Sequence, residues 1–251
     1  MVSTPCDDGH RFCFWQSLLA SVSTEAPDGV RLIFCPTPGD SWIGRIRTNI
    51  INTFYFDTNH DALVFLDSDL DFRPADLHRL IQTCMEQDGI VCGLYYKKQE
   101  ELGGVFNTIL GQDISTAPNA GAQEIAAGGT GAMVIPRWVV ARMIDAATTG
   151  EWNRWPVRYI EDGTMKERWH LFHDGVIDDA EAFPHSPRLM SEDWSFCYMA
   201  RKLGIRIYLE PAAVFLHEGN CLYPKQARRL TKEEVDTGQI NQPDGTTTPA
   251  K

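Results

Sequence analysis

The sequence has no apolar run approaching the ~18 residues that a membrane span needs. Its opening residues, MVSTPCDDGH, also lack the charged-then-apolar run of a secretion signal, so a cytoplasmic protein without a transmembrane segment is expected. A basic excess is missing too. Against 34 Asp plus Glu stand 23 Lys plus Arg, a formal net charge of −11, which does not supply the positive field that non-specific binding to long nucleic acid requires. No C-x-x-C pair occurs among the seven cysteines, Cys6, Cys13, Cys35, Cys84, Cys92, Cys197 and Cys221. Their odd number and their setting in apolar runs suit free thiols acting as small buried hydrophobes. No glycine-rich fingerprint follows the first apolar run, no D-x-D-x-T nucleophile motif occurs, and no internal repeat is visible.

With 251 residues and 43% hydrophobic content, the chain is long enough to bury one sizeable core and lies near the upper size at which a single core stops growing. Residues 1–230 are expected to form a single domain. From about Thr231 the chain is polar and carries PDGTTTPAK, the composition of a flexible C-terminal tail over 231–251.

Short apolar runs alternate with stretches of helical period, which points to a three-layer α/β fold with a mixed, mostly parallel central sheet. Strands are predicted over 2–6 and 30–36, and a helix over 12–22. Ile43, Ile46, Ile50 and Phe54 recur at helical spacing and predict an amphipathic helix over 42–56. The run ALVFLDSDLDF is an apolar strand passing abruptly into carboxylates. Pro74 then opens a helix with Leu77, Leu80, Ile81, Cys84 and Met85 on one face. Residues 89–96 read as a strand, and 97–123 as irregular. GGTGAMVIPRWVVARMIDAA reads as a glycine turn, a strand and a helix opened by Pro136. Residues 150–190, rich in Trp, His, Pro and Asp, read as an excursion with one hairpin. SEDWSFCYMARKLG reads as a helix with Ser191 as N-cap and Gly204 as its stop, followed by the strand IRIYLEP and the run AVFLHEG.

Three aspartates at alternate positions, Asp67, Asp69 and Asp71, end a buried strand, where a lone uncompensated carboxylate costs several kcal/mol. A divalent cation such as Mg²⁺ or Mn²⁺ removes that cost, because hard cations take oxygen ligands and share their shell with substrate phosphates. All three converge if the strand stays extended; a turn after Asp69 sends Asp71 elsewhere. The alternative for the D-x-D is an ordinary strand end or helix cap.

Taken in order, RIRTNIINTFYFDTNHDALVFLDSDLDFRPADLHRLI, GIVCGLYYKK, GGTGAMVIPR and RLMSEDWSFCYMARKLGIRIYLEPAAVFLHEG resemble the compact GT-A glycosyltransferases of bacteria and phages, with a more distant likeness to fungal Golgi mannosyltransferases. The resemblance spans roughly residues 1–220 and implies a GT-A (Rossmann-like) fold. It implies further that Asp67, Asp69 and the late His217 hold Mn²⁺ or Mg²⁺ against the diphosphate of a nucleotide sugar, in the run Asp67-Ser68-Asp69. Thr4, Pro5, Asp8 and Arg47 are then nucleotide contacts, and Gly129, Thr130 and Gly131 lie beside the donor sugar. Relatives often read Arg-Asn where this chain has Arg47-Thr48, and a salt bridge is the alternative for Arg47. Glu192 and Asp193 resemble the E-D pair that contacts the acceptor and supplies the general base in inverting members. Alternatively they are helix N-terminal acids facing the dipole. For GGTG the alternative is tight packing, since no P-loop Lys-Ser/Thr follows it.

The aromatics Trp152, Trp155, Tyr159, Trp169 and Phe172, with His170 and His173, form either a sugar-stacking acceptor surface or core. The expected partners are a nucleotide sugar (UDP- or GDP-linked) and an acceptor glycan, lipid, protein or modified nucleotide, including a phage DNA base. A metal-dependent nucleotidyltransferase or phosphohydrolase, or a non-catalytic nucleotide-binding module, are the readings from other classes.

Overall fold

The computed structural model of the protein describes residues 1–5, 12–37, 42–95, 106–107, 113–151, 156–161, 164–177, 188–218, 222–223, 239–241 and 247–249. From the N-terminus the elements are β1 (Val2–Pro5), α1 (Phe12–Ser23), β2 (Phe34–Thr37), α2 (Ile43–Asp57), β3 (Ala62–Leu66), β4 (Leu70–Asp71), α3 (Pro74–Glu86) and β5 (Gly89–Leu94). There follow β6 (Phe106–Asn107), β7 (Gln123–Glu124), β8 (Ala127–Gly128), β9 (Ala132–Pro136), α4 (Arg137–Thr149), β10 (Pro156–Glu161), β11 (Thr164–Trp169) and β12 (Gly175–Ile177). Last come β13 (Arg188–Met190), α5 (Glu192–Lys202), β14 (Arg206–Val214), β15 (Leu216–Glu218), β16 (Leu222–Tyr223), β17 (Gln239–Asn241) and β18 (Thr247–Pro249).

Seven strands form the central sheet in the order β2-β1-β3-β9-β5-β14-β7. β1 is parallel to both β2 and β3, and β14 is parallel to β5, whereas β9 runs antiparallel between β3 and β5 and β7 antiparallel at the β14 edge. This is the mixed, largely parallel sheet of a Rossmann-like three-layer fold. Period-two alternation makes the core two-sided. β3 sends Leu63 and Phe65 to a face packed by Ile46, Ile50 and Phe54 of α2, Val139 and Met143 of α4, and Phe196 of α5. Val64 and Leu66 go to the opposite face, with Phe14 and Leu18 of α1 and Leu77, Leu80 and Ile81 of α3.

Five predicted details are corrected. β2 begins at Phe34 rather than Val30, because its parallel partner β1 starts at Val2, which pairs with Phe34. Met85 is 64% exposed; at about 100° per residue it falls roughly 40° outside the arc that Leu77, Leu80, Ile81 and Cys84 occupy. Residues 156–190 hold two antiparallel pairs, β10 with β11 and β12 with β13, not one hairpin. Ser191 sits at the N-cap of α5 without capping it. Phe172 is core, fully buried and stacked on Phe196 with ring centroids 4.4 Å apart, so it offers no face to a sugar.

Cys84, Cys92 and Cys197 are buried free thiols, and burial pushes Cys84 and Cys197 up to about 12. Cys6 and Cys221 lie outside the described residues, as does most of 231–251, of which β17 and β18 pair antiparallel. No helix among the described residues is long and apolar enough to cross a membrane.

Candidate functional site at the carboxyl edge of the sheet

β1, β3 and β5 run in one direction, so the residues that end them share the sheet edge where open α/β folds bind ligands. Asp67 follows β3. Its backbone N–H donates to the carbonyl of Gly131 at 2.9 Å, and Leu70 N–H donates back to the Asp67 carbonyl at 3.2 Å. That turn through Ser68 and Asp69, both half-buried, separates the three aspartates. Asp71 leaves the edge: Ser17 Oγ of α1 donates to its Oδ1 at 2.6 Å, and Phe72 N–H donates to Ser17 Oγ at 3.0 Å.

Arg47 reaches the edge from the buried face of α2, where it is only 5% exposed. Its Nη2 donates to both oxygens of Asp67, at 2.9 and 3.2 Å, and its Nη1 donates to Glu192 Oε1. The salt bridge is therefore a buried one spanning two elements. Burial opposes the guanidinium charge more than any single neighbour favours it, but Asp67, Glu192 and Asp193 together outweigh burial and hold Arg47 above its ordinary pKa. Glu192 goes the other way for a carboxylate. Burial raises its pKa above the ordinary value even though Arg47 pulls it down. Arg47 Nε has no hydrogen-bond partner among the described residues.

Gly128, Gly129, Thr130 and Gly131 are all buried. A Cβ on Gly131 would sit 2.9 Å from the ring of Tyr95, 3.0 Å from its hydroxyl and 3.1 Å from Asp67 Oδ2, so only glycine lets these three meet. Gly131 N–H donates to the Tyr95 hydroxyl at 3.0 Å. Burial, then Asp67 and Asp193, push that hydroxyl well above its ordinary pKa, keeping it protonated. Thr130 Oγ1 is buried with no partner among the described residues.

His217 arrives by a route the sequence did not suggest. The last long strand, β14, lies beside β5 and β7, not beside β3. After its register shift the chain enters β15, which pairs antiparallel with β4 and sets His217 opposite Leu70. The imidazole stands edge-on to Tyr95, centroids 5.0 Å apart.

At the start of α5, Asp193 Oδ1 accepts from Ser191 Oγ and from the backbone N–H of Trp194. Glu192 is buried against Arg47, whereas Asp193 is half-buried. The excursion before α5 is fastened to α2 by two polar side chains. Phe172 N–H donates to Thr48 Oγ1 at 3.3 Å; Asn52 Nδ2 donates to the Trp169 carbonyl at 2.8 Å, and Trp169 N–H donates to Asn52 Oδ1 at 3.0 Å. Thr48 thus has a structural task. Of the predicted aromatic surface, His170 and His173 lie with ring centroids 5.3 Å apart and tilted by 44°, and His170 is edge-on to Trp42. Trp169 packs against the core, while Trp152, Trp155 and the Tyr159 side chain lie outside the described residues. Thr4 is buried at the end of β1 and Pro5 closes that strand; Asp8 lies outside the described residues.

Tyr95, Thr48 and Asn52 were missed by sequence reasoning. Tyr95 carried a usable signal, since it ends an apolar strand as Asp67 does. Among the described residues no three His, Cys, Asp or Glu side chains stand close enough to hold a metal ion by themselves. Asp67, Glu192 and Asp193 all act on the one guanidinium of Arg47, which leaves an excess of carboxylate charge at this edge.

No family model matches the sequence, and no curated protein matches it. Among solved structures the chain is similar to A197 from STIV, at 16% identity and a TM-score of 0.52 over 100% of this chain and 93% of that one, a likeness of fold. Apo UDP-glucose pyrophosphorylase matches at 11% identity and a TM-score of 0.32 over 57% of this chain and 62% of that one.

Proposed function

We propose that the protein is a metal-dependent glycosyltransferase of the GT-A type, moving a sugar from a UDP- or GDP-sugar to an acceptor hydroxyl. The observation that carries the reading is the Arg47 bridge, which joins the carboxylate ending β3 to the carboxylate opening α5. Donor-side and acceptor-side acids of the kind such a transfer needs are thereby drawn to one sheet edge, with more carboxylate than guanidinium charge between them.

In this reading Asp67 and Asp69 hold Mn²⁺ or Mg²⁺, with His217 at the same edge, and the diphosphate and water complete the shell. The bound ion would supply charge neutralisation of the departing diphosphate. Gly131 and its neighbours Gly129 and Thr130 let the donor approach the backbone, with Thr4 and Pro5 at the nucleotide end. Asp193, the more open of the two acids, takes the proton of the acceptor hydroxyl while that oxygen bonds to the anomeric carbon and the bond from that carbon to the phosphate oxygen breaks. Glu192, committed to Arg47, positions the helix start. Acceptor recognition falls to His170, His173 and Trp42.

The test is to incubate the protein with UDP- and GDP-sugars and Mn²⁺ and assay products. Release of nucleoside diphosphate with free or transferred sugar supports the reading. Formation of pyrophosphate or nucleoside monophosphate instead would move the protein to nucleotidyl transfer or phosphohydrolysis.

A further inference from the structure

Arginine binds oxyanions best through its side-on edge, where Nε and one Nη donate in parallel. Arg47 uses only half of that edge. Its Nη2 is spread over both oxygens of Asp67, its Nη1 holds Glu192, and its Nε, buried at the same place, has no partner among the described residues. A buried donor left unsatisfied is costly, and here it lies next to the carboxylate that a cation would claim. Asp67 is also the more accessible of the two acids, with a side chain 26% exposed against 9% for Glu192. Of the two contacts, the one to Asp67 is therefore the one an incoming ion can take over.

We propose that Arg47 is a stand-in cation. It occupies the face of Asp67 that a divalent ion would use, so the free ion binds weakly by itself and binds well only together with a nucleoside diphosphate. Once displaced from Asp67, the guanidinium keeps Glu192 through Nη1 and turns its Nε and Nη2 edge to the phosphates that arrive with the ion. Arg47 is then a positioning residue that makes cation and diphosphate binding mutually dependent, and it holds the start of α5 in place throughout. The inference rests on the reading of the site given above and deepens it.

Calorimetric titration separates the two. Wild type is titrated with Mn²⁺ alone, and with UDP and GDP in the presence of Mn²⁺ or of EDTA; the same series is run on Arg47→Gln and Arg47→Lys. In wild type, nucleotide affinity that requires Mn²⁺ is expected, and its absence overturns the metal site and with it this inference. Granted that dependence, Arg47→Gln should bind Mn²⁺ alone at least about tenfold tighter, since a positive charge near the ion is removed, yet bind the diphosphate at least about tenfold more weakly. Unchanged or weaker binding of Mn²⁺ alone overturns the stand-in role while leaving the metal site intact. Should Arg47→Gln fail to fold, Arg47→Lys decides. A retained point charge without the fork should leave Mn²⁺-alone affinity within a few-fold of wild type and still lose the diphosphate; retention of diphosphate affinity counts against the proposal.

Discussion

Arg47 and Glu192, one on α2 and the other opening α5, form a buried ion pair whose guanidinium also holds Asp67 at 2.9 Å. Removing one member of such a pair leaves a buried charge uncompensated, at a cost of about 3–5 kcal/mol. Even at the lower figure, a chain of this size should lose roughly 6–12 °C of melting temperature. Arg47→Gln is expected to show that loss by calorimetry or circular dichroism. A drop smaller than 2 °C would mean that the carboxylates are solvated and the bridge contributes little.

The pair also has a pH signature. Burial raises the folded-state pKa of Glu192 above the ordinary 4.5, so the folded protein binds that proton more tightly than the unfolded chain. Its contribution to stability is then fully present below the unfolded pKa and is lost as pH rises through the folded one. Glu192→Gln cannot titrate. The stability of wild type relative to this variant should therefore decline from about pH 4.5 upward and level off above the folded pKa. Urea melts of both proteins across pH 4 to 8 measure it, and a difference that grows with pH would reverse the sign.

How much of this was legible beforehand depended on range. Helices α2, α3 and α4, and the strand before Asp67, follow from local period and from Pro74 and Pro136; α2 is shifted by one residue from expectation, α3 starts at Pro74 and α4 one residue after Pro136. The two-sided core was readable from apolar strands alternating with amphipathic helices. Strand order was not, because β9 inserts antiparallel between β3 and β5, and nothing in its own residues states its direction. For the same reason His217 was expected to return beside β3 and instead reaches the edge through β15 pairing with β4. The fate of Asp71 hung on a single turn, and the partner that draws it away, Ser17, lies 54 residues off in the chain, on α1.

Gly131 is placed so that any side chain collides with the site. The methyl of Gly131→Ala would approach Tyr95 to 2.9 Å and Asp67 Oδ2 to 3.1 Å; overpacking of this kind costs about 1–3 kcal/mol. Since Asp67 is one of the groups pushed, the affinity for a nucleoside diphosphate with Mn²⁺ should fall by about tenfold or more, equivalent to at least 1.4 kcal/mol. A variant that melts lower but binds as wild type would assign the glycine to packing alone.

For Asp193 the expected outcome is a split between binding and turnover. Asp193→Asn keeps an acceptor oxygen for Ser191 and the Trp194 N–H, so α5 and the donor site should survive, with melting temperature and donor affinity near wild type. Transfer should fall by about 10²-fold or more if the carboxylate takes the acceptor's proton. Activity within a few-fold of wild type would move the base to Glu192 or make the enzyme a retaining one.

Calorimetric titration of UDP and GDP into wild type and Asp69→Ala, each in Mn²⁺ and in EDTA, decides whether the acids after β3 hold a divalent cation against a diphosphate. Wild type is expected to bind in Mn²⁺ and to weaken at least about tenfold in EDTA, with a comparable loss in Asp69→Ala even with the metal, because the ion loses a charged ligand and the phosphates lose their counter-charge. Equal affinity in Mn²⁺ and EDTA, or an Asp69→Ala titration that overlays wild type, would contradict it.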